Sequence, residues 1–73
     1  MYRIRQKEKW WNKHQRLYLF WNYDYDKKDY YVGPLEVAQL HKFNFKDNEI
    51  GELRNQHPDF DNEFVLEESH VGL

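Results

Sequence analysis

The feature that most constrains this 73-residue chain is segment 16–23, its densest run of apolar and aromatic residues. The run contains neither glycine nor proline, and its residue types are typical of β-strands. Because side chains alternate between the two faces of a strand, the segment predicts one continuously apolar face that packs on the core. That face carries Leu17, Leu19, Trp21 and Tyr23, and the half-covered opposite face carries Arg16, Tyr18, Phe20 and Asn22.

The strand is expected to return on itself as a β-hairpin over residues 16–33. Residues 24–28 are polar and turn-prone, since Asp side chains bond to the backbone ahead of them. Strand character resumes at Tyr30 and stops before Pro34, because proline has no N–H to donate to a neighbouring strand. An amphipathic helix over residues 15–23 is disfavoured because no polar stripe recurs at helical spacing.

The predicted fold is α+β in one small domain, residues 1–73. It combines a small antiparallel sheet of three to four strands with a central hairpin and one main α-helix packed on the sheet. In chain order the segments are a basic aromatic N-terminal segment 1–15, the hairpin 16–33, a helical region 34–57, a last strand 63–68 and a tail 69–73.

Two of these elements have specific local signals. Residues 1–6 alternate apolar and basic side chains, which indicates a short edge strand protected by charge. The main helix is expected over residues 46–56, with Asp47 as its N-cap and with Ile50 and Leu53 on its apolar stripe.

Small domains usually need disulfides, a metal or oligomerisation for stability, and aromatic side chains take that role here. The chain has no cysteine, which excludes disulfides and accords with a reducing cytoplasm. Aromatic residues make up 19% of the sequence, more than a domain of this size can hide. Some rings should therefore be exposed, and exposed rings that cluster indicate a binding face.

The net charge of −2 hides an asymmetry between the two parts of the chain. Residues 1–23 hold six Lys and Arg against one acid, Glu8, whereas residues 24–73 hold five basic and twelve acidic side chains. The basic part either folds onto the acidic part or the two parts form separate binding surfaces. No apolar stretch approaches the length of a membrane span and no signal peptide is recognised, so a cytoplasmic protein is expected.

The residues needed for catalysis or for metal binding are sparse. The only hydroxyl candidate for a nucleophile, Ser69, is in the tail, and the three glycines are too scattered to form a phosphate loop. No two of the four histidines are four positions apart, and the acidic turns at 24–26 and 59–63 lack the glycine of calcium loops. A non-enzymatic protein without metal or cofactor is expected.

The N-terminal segment mixes cations with stacking rings, as platforms for single-stranded nucleic acid do. The competing interpretation is a loop in which one of two adjacent tryptophans covers the end of the core while the other points outward. The nucleic-acid hypothesis uses Arg3, Arg5, Lys9, Trp10, Trp11, Lys13 and Arg16.

Several short motifs follow the predicted hairpin. They are Tyr31-Val32-Gly33, Glu36-x-Ala38, Phe45-Lys46-Asp47-Asn48-Glu49-Ile50 and Phe64-Val65-Leu66-Glu67. Over residues 16–68 this pattern resembles small accessory proteins of phages and prophages of Gram-positive bacteria. The resemblance implies a role against host defence, as in anti-CRISPR proteins, and it implies no catalytic residues.

The leading functional hypothesis is accordingly a phage-type inhibitor or modulator. It would bind a host or phage protein that handles nucleic acid, such as a defence nuclease, through exposed aromatics and an acidic face. A homodimer that pairs exposed hairpin edges stays open as an alternative. The expected contact residues are Tyr23, Tyr25, Tyr30, Asp59, Asp61 and Glu63.

Overall fold

A computed structural model describes residues 1–21 and 30–69 and shows an α+β fold. In this part of the chain, three helices accompany one five-stranded antiparallel sheet. The elements are β1 (Tyr2–Gln6), β2 (Leu17–Trp21), β3 (Tyr30–Pro34), α1 (Leu35–Ala38), β4 (Asn44–Phe45), α2 (Asp47–Gln56), α3 (Phe60–Glu63) and β5 (Phe64–Glu68).

Strand β1 forms the centre of the sheet. It pairs with β5 along its whole length on one edge, whereas β2 and β4 share its other edge. The prediction of an edge strand at residues 1–6 is therefore wrong, because the chain returns after α3 to pair with β1. The basic side chains of β1 therefore lie on one face of a central strand, and they do not protect an edge strand from pairing with another chain.

Strands β2 and β3 pair antiparallel from Leu17 opposite Pro34 to Trp21 opposite Tyr30. Their connection lies outside the described residues, and β3 pairs only with β2 in the described sheet. The central position of the hairpin and the single main helix are not confirmed. The sheet has five strands instead of three or four because β4 pairs with the start of β1, within the region 34–57 that was expected to be helical.

One face of the sheet holds the larger core. Helices α2 and α3 cover it, and the six buried side chains come from three strands and both helices. Burying each such side chain contributes about 1.5–3 kcal/mol, so this layer is the main source of stability. The buried residues are Ile4, Leu19, Phe45, Ile50, Leu53 and Phe60.

The opposite face is also covered, which corrects the expectation of a half-covered surface. Tyr18 and Phe20 are 5% and 7% exposed because α1 packs over them through the fully buried Ala38. Gly33 allows this close packing, since a Cβ atom there would lie 3.1 Å from Cε1 of Phe20. The sheet is thus covered by helix on both faces around β2.

The N-cap of helix α2 lies one residue earlier than the sequence predicts. Lys46 is the N-cap and Asp47 is the first helical residue, so the expected Asp47 cap is wrong. The backbone N–H of Lys46 donates to Oε1 of Glu49 at 3.1 Å. Asp47 instead places a negative charge in the first turn, where the helix dipole favours it.

Candidate nucleic-acid interface and acidic groove

The loop that joins β1 to β2, residues 7–16, is named here the Trp loop. Its organising residue is Asn12, which is only 1% exposed. The Asn12 Oδ1 atom accepts a hydrogen bond from the backbone N–H of Lys9. Its Nδ2 atom donates to the carbonyl oxygen of Lys7 at 3.2 Å and to Oε1 of Gln6 at 3.5 Å. A buried amide with both ends bonded therefore fixes the path of the loop.

Both tryptophans of the Trp loop face solvent. Trp10 is 87% exposed and Trp11 is 54% exposed. The interpretation in which one ring covers the core is wrong, because the buried position of the loop is taken by Asn12. Large rings are costly to leave in water, so two neighbouring exposed tryptophans make this loop a candidate binding surface.

Cationic side chains accompany these rings. The Trp loop holds four Lys and Arg against one acid, Glu8. None of the four forms an ion pair with another described residue, whereas Arg5, Lys42 and Arg54 do. The positive charge of the loop is thus available to a ligand. The four cations are Lys7, Lys9, Lys13 and Arg16.

Arg3 and Arg5, also predicted to bind nucleic acid, lie on the sheet and have structural roles. Arg5 forms an ion pair with Glu67, whose other carboxylate oxygen accepts a hydrogen bond from the Tyr18 hydroxyl at 3.4 Å. The guanidinium of Arg3 lies 5.2 Å from the centre of the Phe43 ring. The structure therefore keeps five of the seven predicted residues together on the Trp loop and separates these two.

A groove of about 500 Å³ adjoins the end of the Trp loop. Residues 14–18 form one wall and residues 34–36 the other, because Leu17 pairs with Pro34. Sequence reasoning did not find His14 and Leu35 as members of this surface. The hairpin register would have indicated them, since it places the start of α1 beside the start of β2.

Two of the three acidic side chains proposed to bind a protein partner, Asp59 and Glu63, line a different groove, named here the acidic groove. It has a volume of about 400 Å³ and lies between β2–β3 and the α2–α3 corner. Tyr30, Asp59 and Glu63 all line this groove. The fold therefore brings together three of the six residues predicted to contact a protein partner. Its apolar lining includes Leu19, Val32, Leu53, Pro58, Phe60 and Phe64.

The other three residues predicted to contact a protein partner are not part of the acidic groove as the structure describes it. Asp61 lies outside the lining and forms an exposed ion pair with Arg54 at 3.0 Å. Tyr23 and Tyr25 lie outside the described residues. Asp59 and Glu63 have no ion-pair partner within residues 1–21 and 30–69, so their charges are uncompensated at the groove.

Two pKa shifts occur, one at Tyr30, which lines the acidic groove, and one at Glu49, which lies outside that lining. Burial, followed by the charges of Glu49 and Glu52, raises the pKa of Tyr30 above its usual value. Burial alone would raise the pKa of Glu49 as well. The hydrogen bond from the Lys46 backbone, together with the hydrogen bond and the positive charge of the Lys42 side chain, lowers it by more. The pKa of Glu49 therefore lies below its usual value.

No group of three or more His, Asp or Glu side chains suited to a metal ion occurs within residues 1–21 and 30–69. None of the helices described above is long and apolar enough to cross a membrane. A scan against protein-family models finds no matching family, and searches of curated proteins and of solved structures find no match either.

Proposed function

We propose that the protein is a non-enzymatic binding protein whose Trp loop binds single-stranded nucleic acid. The observation that carries the proposal is the exposure of Trp10 and Trp11 on a loop held in place by the buried Asn12. The cations of the same loop, which form no ion pair with another described residue, supply the charge complementary to phosphates. A loop fixed before binding loses little conformational entropy when the ligand arrives.

Each component has a defined role in this proposal. Trp10 and Trp11 stack on unpaired bases, and such stacking contributes about 1–3 kcal/mol per base. Lys9 and Lys13 contact phosphates, and Arg16 continues the cationic path into the groove formed with residues 34–36. Stacking requires bases that are free of a duplex, so single strands should bind more tightly than duplexes of the same sequence.

The test is fluorescence anisotropy with labelled single- and double-stranded DNA and RNA at low and at moderate salt. Trp10→Ala should weaken single-strand binding about 5- to 150-fold, the equivalent of about 1–3 kcal/mol. Leu40→Ala is the matched control, since Leu40 is another exposed apolar residue, 75% exposed, outside the Trp loop. Equal affinities of the two variants, or affinity that does not fall with salt, would refute the proposal.

A protein partner is the second candidate, and the uncompensated Asp59 and Glu63 beside an apolar groove favour it. In this function the acidic groove binds a cationic segment of a nucleic-acid-handling protein and inhibits it, as expected of a phage anti-defence protein. Such an inhibitor would act in the bacterial cytoplasm.

The decisive variant for this second function reverses Asp59, Asp61 and Glu63 to Lys together. A nuclease recovered on the wild-type protein should lose binding to the triple variant and regain its cleavage rate. A nuclease that binds both forms equally would exclude the acidic groove as the inhibitory surface.

A further inference from the structure

We propose that two copies of this chain form a symmetric dimer in which the Trp loop of each copy occupies the acidic groove of the other. This proposal does not depend on nucleic-acid binding. It assigns an occupant to each of two surfaces that residues 1–21 and 30–69 of one chain leave uncovered.

Charge complementarity is the first argument. The Trp loop carries four cations without an ion pair among the described residues, and the acidic groove carries two such acids, Asp59 and Glu63. Within residues 1–21 and 30–69 of a single chain, no ion pair joins these two sets. A second copy supplies to each set the opposite charge that it lacks.

Shape and polarity give the second argument. The ring of Trp10 does not enter the groove of its own chain, because it is 87% exposed. The groove has an apolar floor that includes Leu19 and Val32, and its volume of about 400 Å³ is in the range of pockets that enclose ligands. A tryptophan offers about 150–250 Å² of surface to bury, and interface centres are enriched in such rings.

The positions of the two surfaces explain why the dimer would be symmetric. The Trp loop begins after Gln6, which pairs with Phe64, a residue that lines the acidic groove. The backbone N–H of Lys7 donates to the carbonyl oxygen of Glu63 at 2.8 Å. Loop base and groove are thus neighbours at one end of the sheet. A twofold axis beside them presents each surface to its complement and closes the assembly at two copies.

The dimer has a consequence for ligand binding. Trp10 cannot be inside the groove of a second copy and stacked on a base at the same time. Any ligand of the Trp loop must therefore compete with self-association, and a single-stranded ligand would convert dimers into monomers.

Sedimentation velocity and light scattering over a concentration series, without nucleic acid, provide the test. We expect a monomer–dimer equilibrium whose dissociation constant rises with salt. Trp10→Ala and the double variant Asp59→Asn/Glu63→Gln should each weaken association about tenfold or more. Leu40→Ala and Asp47→Asn/Glu68→Gln are the matched controls, with exposed side chains outside both surfaces, and should leave the dissociation constant unchanged.

Mixing the two weakened variants sharpens the test. The double variant has an intact Trp loop and the Trp10→Ala variant has an intact groove, so a mixed pair keeps one good contact. The other contact of the mixed pair carries both changes, and because either change alone should already break that contact, we expect the mixture to associate more tightly than either variant alone. Circular dichroism and thermal melts should show that both variants remain folded.

Three outcomes would overturn the proposal. The first is a monomeric mass at every concentration, and the second is a dimer that neither variant weakens, which would point to pairing of β3 edges. The third is growth beyond two copies, which would exclude symmetric closure. None of these three results decides whether the Trp loop binds nucleic acid, and a failure of nucleic-acid binding leaves the dimer test unchanged.

Discussion

The helix-covered core and the Trp loop use the same kind of side chain in opposite ways. In the core, Phe45 and Phe60 are 0% and 3% exposed, whereas Trp10 in the loop is 87% exposed. The difference lies in their neighbours. Phe45 belongs to a strand beneath α2, but the buried residue of the loop is the polar Asn12. A polar anchor under a loop leaves its aromatic residues free for binding.

The largest effect should come from the core. Phe45→Ala removes a fully buried ring that packs near Tyr30, with ring centres 6.3 Å apart. We expect a loss of about 3–5 kcal/mol in the free energy of unfolding, enough to unfold much of so small a domain. Urea titration followed by circular dichroism measures it, with Leu40→Ala as control. A loss under about 1 kcal/mol would contradict the assignment of Phe45 to the core.

The anchor of the Trp loop should come next. Asn12→Ala leaves the backbone N–H of Lys9 and the carbonyl oxygen of Lys7 without their side-chain partner, at a cost of about 1–3 kcal/mol. Hydrogen exchange at Lys9 should quicken, and the tryptophans should gain mobility in fluorescence anisotropy. Asn55→Ala, at an exposed asparagine of α2, is the matched control. Equal exchange at Lys9 in both variants would show that Asn12 does not fix the loop.

A smaller, pH-dependent effect is expected at Glu49. Because folding lowers its pKa, Glu49 stabilises the protein fully above its unfolded-state pKa, and this contribution disappears as the pH falls through the folded-state pKa. Glu49→Gln should cost about 1 kcal/mol near neutral pH and nothing in strong acid. Thermal melts across that pH range test this, with Glu52→Gln as control. A cost that persists in acid would assign the effect to packing.

The smallest effect on stability should be at Trp10. Trp10→Ala removes a ring that contributes almost nothing to the core, so the free energy of unfolding should change by less than about 0.5 kcal/mol. The same variant is expected to lose ligand binding and self-association. A large loss of stability would mean that the loop and the core are not the separate regions described above.

The sequence predicts the repetitive parts of the fold well. The antiparallel α+β architecture is confirmed, and Leu19, Ile50 and Leu53 are buried as their periodicity indicates. The two-residue strand β4 is too short to produce any periodic signal. The central position of β1 depends on pairing with β5 at the other end of the chain, which local patterns do not report.

For the candidate sites, the sequence predicts which residue types take part but not their exposure or their arrangement in space. The cations and tryptophans of the Trp loop are conspicuous in the sequence, but their exposure depends on the burial of Asn12, a residue type that usually faces water. The separation of Arg5 from the loop depends on its ion pair with Glu67 across the sheet. Tyr30, Asp59 and Glu63 meet at one groove because β3 and α3 are close only in space.

The position of β1 also has a consequence for synthesis on the ribosome. Its partner β5 lies far along the chain, as the ion pair between Arg5 and Glu67, 62 positions apart, illustrates. Contacts of such long range slow folding, because a large loop must close before they form. The emerging chain therefore holds β1 without its final neighbour until β5 has left the exit tunnel. The sheet should therefore be completed only after β5 has emerged.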